Sequence, residues 1–478
     1  MKNKELLYQN ISEKIYSLIK KGVWKAGEKL PSVRTLCHDY RVSPGTVFKA
    51  YYILESQGMI ESRLKSGYFV RYNAARIPSV PAVAPTDGIA YEVNMDVLIT
   101  ELYRDISADD VLKFSVAAPA PELLPSRRFS KSVQQALRNS SDGHLNYAHL
   151  QGNVDLRRRL AMLAFSWGGS YNENDIIVTA GCMEAIVFCL ETITKPGDSI
   201  AIESPTYFGI LQAADKLNLK VVEIPTDPIN GPDIDYLETL MQKKLIRASV
   251  LVSSFNNPLG ACMPDADKQK LVLLHEKYQI PLVEDDVYGE LYFDTRRPAT
   301  FKSFDKSGIV LYCSSFSKSL APGYRIGWAI PGNYTSEIIA RKFAHTISGN
   351  SLSQAAMAHF LEFGRYEFHM STMRKALHTQ CLRYLQAIHE YFPVEIRISR
   401  PRGGFVIWIE LQLKINALEL YRTALKHQIA IAPGHIFSVQ NKYANCIRIS
   451  FARPYDALSD RGMKKLGELI KNHISNVS

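Results

Sequence analysis

The chain has 478 residues, 46% hydrophobic and 22% charged, with a net charge of +10, and that length exceeds what a single core usually supports, so two or more compact units are expected. No apolar run approaches the length that crosses a bilayer and the N-terminus MKNKELLYQN lacks the apolar centre of a signal peptide, so neither a membrane span nor secretion is expected. The seven cysteines, at 37, 182, 189, 262, 313, 381 and 446, are scattered and form no C-x-x-C, which argues against a disulfide framework and a zinc site and makes a reducing cytoplasm the expected location.

The charge is unevenly spread. Residues 1–72 hold 13 Lys or Arg against 6 Asp or Glu, a local excess of +7. Such an excess is compatible with a merely solvated face, so the pattern of residues has to decide. From 8 to 19, Tyr8, Ile11, Ile15, Leu18 and Ile19 share one helical face, with Gly22 just beyond. A second helix begins at Pro31-Ser32, turning Val33 and Leu36 inward and Arg34 and His38 outward. Ser43 can cap the free amides of a third helix whose first position, Pro44, has no amide to lose. That helix is expected to reach Gly58, with Val47, Ala50, Tyr51 and Leu54 inward and Thr46 and Lys49 exposed. Residues 59–62 and 68–70 then read as a small hairpin, with Arg63-Leu64-Lys65-Ser66-Gly67 at its basic tip.

Two short helices joined by a tight turn and followed by a wing make a DNA reader. Pro31-Ser32-Val33-Arg34, Val42-Ser43-x-x-Thr46-Val47, Ala50-Tyr51, Leu54, Gly58 and Ser66-Gly67-Tyr68-x-Val70 resemble the GntR family of winged-helix regulators across this head. The resemblance implies that Arg34, Ser43, Thr46 and the wing residues Arg63, Lys65 and Gly67 meet double-stranded DNA. Lys49 joins them on charge and expected exposure. Pro44 and Phe48 depart from the family pattern, so base preference does not carry over.

Residues 73–112 read as a linker, because Pro78, Pro81 and Pro85 among small residues suit a semi-extended connector. Helical periodicity at 95–103 suggests docking on the body, residues 113–478. That body alternates amphipathic helices with apolar runs at 176–178, 199–202, 221–224, 248–252, 282–284, 309–312 and 326–330, which implies a mostly parallel sheet covered on both faces.

Residues with chemical potential cluster after these runs, where open α/β sheets bind ligands. Ser315-Phe316-Ser317-Lys318 and Gly323-Tyr324-Arg325 offer an amine able to form a Schiff base, together with hydroxyls and a guanidinium for a phosphate. Asp285 in Glu284-Asp285-Asp286-Val287-Tyr288 can keep a pyridine nitrogen protonated, with Asp286 as the neighbouring alternative, and the Tyr288 phenol lies three residues on. Asn257-Pro258-Leu259-Gly260 adds a donor for a ring oxygen, and Gly181-Cys182-Met183 opens a helix whose amides can receive phosphate. Ser315-x-x-Lys318 also matches the S-x-x-K of penicillin-binding proteins, but the downstream K-T-G is missing.

Taken in order, these motifs resemble a fold-type I, aminotransferase-class protein with a seven-stranded, mostly parallel large domain and a smaller α+β domain. The whole chain resembles the MocR subgroup of GntR regulators. The resemblance implies pyridoxal 5'-phosphate as cofactor, with Lys318 as its covalent lysine, Asp285 at the pyridine nitrogen, Asn257 and Tyr288 at the ring oxygen, and Tyr207 stacked on the ring. It assigns Ser315, Ser317, Arg325 and the amides of Cys182 and Met183 to the phosphate. Tyr147 resembles a tyrosine that reaches into a neighbouring subunit, implying a homodimer, and Arg448 one that grips an amino acid's carboxylate. The expected function is transcription regulation in response to pyridoxal phosphate or an amino compound, with the linker coupling body to heads; the alternative is an active aminotransferase with an accessory DNA-binding domain.

Overall fold

A computed structural model describes residues 4–25, 27–56, 59–63, 66–70, 78–93, 99–100, 102, 111–440 and 442–476. In the head, α1 (Lys4–Lys20), α2 (Val33–Tyr40) and α3 (Pro44–Ser56) precede an antiparallel hairpin of β1 (Ile60–Arg63) and β2 (Gly67–Val70). The Ser32 hydroxyl caps α2 by accepting the Thr35 amide at 3.0 Å, and Ser43 caps α3 through the Thr46 amide at 3.3 Å. Ile11, Ile15 and Ile19 from α1, Leu36 from α2, and Val47, Ala50, Tyr51 and Leu54 from α3 close one apolar core with Ile60 and Val70 of the hairpin. Each such Ile, Leu or Val stabilises the head by roughly 1.5–3 kcal/mol through burial.

The connector does not stand apart from the body. Of its described residues, 78–93 run extended along it: Ser79 bridges Arg397, the Ala82 amide donates to Glu410 Oε2 at 2.8 Å, and Tyr91 exchanges backbone hydrogen bonds with Val221 at 2.9 Å. Proline and small residues favour this path, and the partner backbone and carboxylate fix it in place. Ile99 and Leu102 are buried in the body core.

The large sheet is built from β3 (Ile177–Thr179), β4 (Ser199–Ser204), β5 (Lys220–Asp227), β6 (Gly231–Pro232), β7 (Ala248–Leu251), β8 (Leu282–Asp285), β9 (Val310–Ser315) and β10 (Gly327–Ile330). Among the described residues its order is β3-β10-β9-β8-β7-β4-β5-β6, parallel except at β10 and at β6. All seven expected runs are strands. The eighth, Gly231–Pro232, is only two residues long and too short to show a period. Ile200, Ala201 and Ile202 are wholly buried, as helices on both faces of a parallel sheet require. In the smaller domain β11 (Arg397–Ile398), β12 (Val406–Glu410), β13 (Ala432–Pro433) and β14 (Cys446–Ser450) form an antiparallel sheet in the order β11-β12-β14-β13.

Candidate functional site

Parallel strands deliver their C-terminal ends to one rim, and the motif residues lie in the turns that leave it. Lys318 follows β9, Asn257 follows β7, Tyr207 follows β4, Cys182 follows β3, and Asp285 ends β8. A cavity of about 190 Å³ there is lined by Lys318, Asn257, Tyr207 and Arg448, with apolar walls from Ile431 and Ile436.

Lys318 Nζ donates to the Ala117 carbonyl at 2.6 Å. Burial, and then the positive field of Arg448, pull its pKa down to about 8. Asp285 lies behind it, 5% exposed, and burial pushes its pKa up to about 6. Its Oδ1 accepts the Val287 amide at 3.1 Å and the Cys182 thiol at 3.4 Å. Asp286, the sequence alternative, is spent elsewhere: it pairs with buried Arg297 and accepts the Tyr312 hydroxyl at 2.8 Å. Burial also raises the Tyr288 phenol, whose ring centre is 6.0 Å from Lys318 Nζ, so it stays a donor.

Asn257 Oδ1 accepts Arg448 Nη1 at 3.0 Å. Its buried Nδ2 makes no hydrogen bond of good geometry, although the Tyr288 hydroxyl lies near enough to feel it. Arg448, 2% exposed on β14, also donates to the Ser115 carbonyl. It faces the cavity, which the sequence left open. Tyr207 stands at the start of the helix Phe208–Lys216, and a Cβ on Gly209 would collide with its ring.

A cradle for an anion adjoins the cavity. The helix Cys182–Ile193 begins at Gly181 without a side-chain cap, leaving its first amides, at Cys182 and Met183, to an outside acceptor. Gly181 has φ +103°, and a Cβ there would strike the Arg325 guanidinium. Arg325 donates to the Ser317 hydroxyl and the Ala180 carbonyl, both at 3.0 Å, and the Ser317 amide donates to Ser315 Oγ at 3.3 Å. Tyr147 is 84% exposed and outside the cavity.

Some contributors were not anticipated from the sequence. The Ala117 and Ser115 carbonyls are backbone groups, and the Cys182 thiol reaches Asp285 as a side chain although only its amide was anticipated. Glu203, ending with Ser204 the strand β4, is buried and pushed up to about 8 by desolvation; a carboxylate closing an apolar run was its available signal.

On the head, Arg34, Ser43 and Gly67 are exposed and Thr46 is half-buried beside Ser43. The Arg63 side chain and Lys65 lie outside the described residues. The expectation of exposure at Lys49 is not met: its side chain is 28% exposed, 3.6 Å from Asp294 Oδ1 and over the Tyr8 ring, because this part of α3 faces the body.

A winged-helix head on an aminotransferase-type body thus defines a two-part regulator architecture. Residues 7–70 match the gntR family of bacterial regulatory proteins, and 110–466 match aminotransferase class I and II. The uncharacterized HTH-type transcriptional regulator YjiR of Escherichia coli (strain K12) is 38% identical over 97% of this chain and 98% of its own, and YdcR of the same organism 34% identical over 98% and 99%. Among solved structures, the alpha-aminoadipate aminotransferase LysN from Thermus thermophilus, complexed with N-(5'-phosphopyridoxyl)-L-leucine, superposes with TM-score 0.72 at 26% identity, over 80% of this chain and 100% of that one. The multiple substrate aminotransferase from Thermococcus profundus gives 0.74 at 27% identity, over 80% and 96%. The chain belongs to the aminotransferase class I and II family through its body and, as a whole, to the MocR-like HTH-type transcription regulators.

Proposed function

We propose that this regulator binds pyridoxal 5'-phosphate covalently at Lys318, senses an amino compound or the cofactor itself, and as a cytoplasmic homodimer presents two heads to double-stranded DNA. The observation that carries this reading is the convergence of Lys318, Asp285, Asn257 and Tyr288 beside the uncapped helix start at Gly181, where the absence of a Cβ leaves room for the Arg325 guanidinium. The phosphopyridoxyl group carried by the LysN complex supports the same cofactor.

When bound, pyridoxal phosphate supplies an electrophilic carbonyl and an electron-withdrawing ring to amines. Lys318, with its pKa near 8, offers an amine that is partly neutral at physiological pH. Asp285, near 6, is mostly ionised there and holds the proton on a pyridine nitrogen. Asn257 Nδ2 and the Tyr288 hydroxyl donate to the ring oxygen, and Tyr207 covers the ring. The amides of Cys182 and Met183 hold the phosphate with Ser315, Ser317 and Arg325. Arg448 orients a carboxylate on the sensed molecule, and Tyr147, exposed, reaches the phosphate of a second subunit. Arg34, Ser43, Thr46, Arg63, Lys65 and Gly67 meet DNA, and Lys49 joins them once its contact with Asp294 is released. No described helix is long and apolar enough to cross a membrane, which with DNA as target supports the cytoplasmic location.

The test is an absorbance spectrum with pyridoxal phosphate beside a Lys318→Ala variant, then titration with amino acids and measurement of DNA affinity at each stage. A lysine-dependent band that shifts with one amine, with altered DNA affinity, is expected; a wild type without a band removes the cofactor reading. The completeness of the polar set also fits transamination, and sustained turnover of an amino acid with a keto acid would move the protein to that reading.

A further inference from the structure

The recognition helix α3 divides along its length. Its first turn, with Ser43 and Gly45 beside Phe48 at 52% exposure, is open. Its later positions Lys49 and Tyr52 are pressed on the body. Lys49 Nζ lies 3.6 Å from Asp294 Oδ1, and the other carboxylate oxygen of Asp294 accepts Arg402 Nη2 at 2.5 Å. The Tyr52 hydroxyl donates to the Pro401 carbonyl at 3.1 Å, and its ring meets His378 edge-on at 4.4 Å. His378 is stacked in turn on Phe293 at 5.0 Å. This patch offers the head an anion, a carbonyl and an aromatic ring, with Arg402 and Phe293 holding Asp294 and His378 in place.

The same patch touches the cofactor-side loops. A Cβ on Gly260, three residues after Asn257, would lie 3.0 Å from Pro401 Cβ. Phe405, ending the loop that starts at Pro401, packs edge-on against Tyr288 at 5.4 Å. One short loop therefore contacts both the candidate ring-oxygen groups and the recognition helix, a direct route beside the linker.

We propose that the surface formed by Asp294, Arg402, Pro401 and His378 is a docking site for the chain's own recognition helix, in which Asp294 occupies the place a DNA phosphate takes on Lys49. Docking and full seating of α3 on DNA then exclude one another. The proposal rests on the reading of the head as a DNA reader. Coulomb attraction to one carboxylate replaces attraction to one phosphate, so the exchange costs little and a modest shift of the 401–405 loop tips it.

A water-soluble carbodiimide joins an amine to a carboxylate only in contact, so it reads the Lys49–Asp294 pair directly. Applied to the holoprotein and followed by digestion and mass spectrometry, it is expected to give the Lys49–Asp294 peptide. A mixture of 15N-labelled and unlabelled protein should show that the link lies within one chain. A saturating random-sequence duplex at low salt should suppress it. Asp294→Asn is expected to tighten binding of the same labelled duplex about two- to fivefold, in the range an exposed ion pair provides, while the charge-matched control Glu122→Gln, on an exposed turn, gives less. Absence of the link, its survival under saturating duplex, links between differently labelled chains, or equal effects of the two variants would each overturn the proposal. If the duplex fails to bind at all, it is the DNA-reading assignment that falls, and the cross-link still reports the contact.

Discussion

Head and body use ionisable side chains in opposite ways. The head closes a core of apolar residues and sends Arg34 to its surface. The body takes Asp285, Glu203 and Arg448 inside and half-buries Lys318. An exposed guanidinium acts weakly, over no more than about a nanometre, and is screened by salt. Buried groups are pushed toward neutrality, Lys318 to about 8 and Glu203 to about 8, which places proton exchange near physiological pH. The contrast separates recognition from chemistry within one chain.

Removing core volume from the head is the strongest way to break this division. Leu54, fully buried against α1 and the hairpin, should lose about 2–5 kcal/mol of head stability as Leu54→Ala, seen as early melting and lost duplex binding. The Lys318-dependent absorbance band should persist, and its loss would mean that the two units do not hold their structure independently.

A pH titration sharpens the body's half of the comparison. The neutral amine captures the cofactor, so band formation by the cofactor-free protein should speed up with pH and level off above about 8; a plateau only near the ordinary lysine value of 10.5 would show that burial does not depress Lys318. The same depression means the folded chain binds fewer protons than the unfolded one between about 8 and 10.5. This group's contribution to stability is therefore present above that window and is lost as pH falls through it.

The smallest effect belongs to the head's surface. Arg34→Ala should lower the slope of log affinity against log salt by about 0.9 if it neutralises one phosphate. An unchanged slope would take Arg34 off the DNA.

What the sequence made legible was whatever is local. Ser43-Pro44 announces a helix start, and Val47, Ala50, Tyr51 and Leu54 keep its period, because caps and faces are decided within a few residues. The seven strand runs were readable for the same reason, and the spacing to Tyr288 favoured Asp285 over Asp286, which in the structure pairs with Arg297. What escaped depends on distant parts. The Ala117 carbonyl, 201 residues from Lys318, has no side chain to signal it. Lys49 read as exposed because nothing in the head foretells Asp294, and the connector read as a spacer because its partners, Arg397, Glu410 and Val221, lie far along the chain.

The strapped connector has a kinetic consequence. Because the chain is fastened from Ser79 onward, the reach of the head is set by the length of chain between Val70 and Pro78, which at about 3.5 Å per residue spans at most about 28 Å. A released head stays within that radius of the surface it left, at an effective concentration of order millimolar. Recapture is then fast and needs no strong contact, so a single half-buried ion pair and one tyrosine set edge-on against His378 suffice to hold the resting state, and DNA has to compete with a neighbour that never diffuses away.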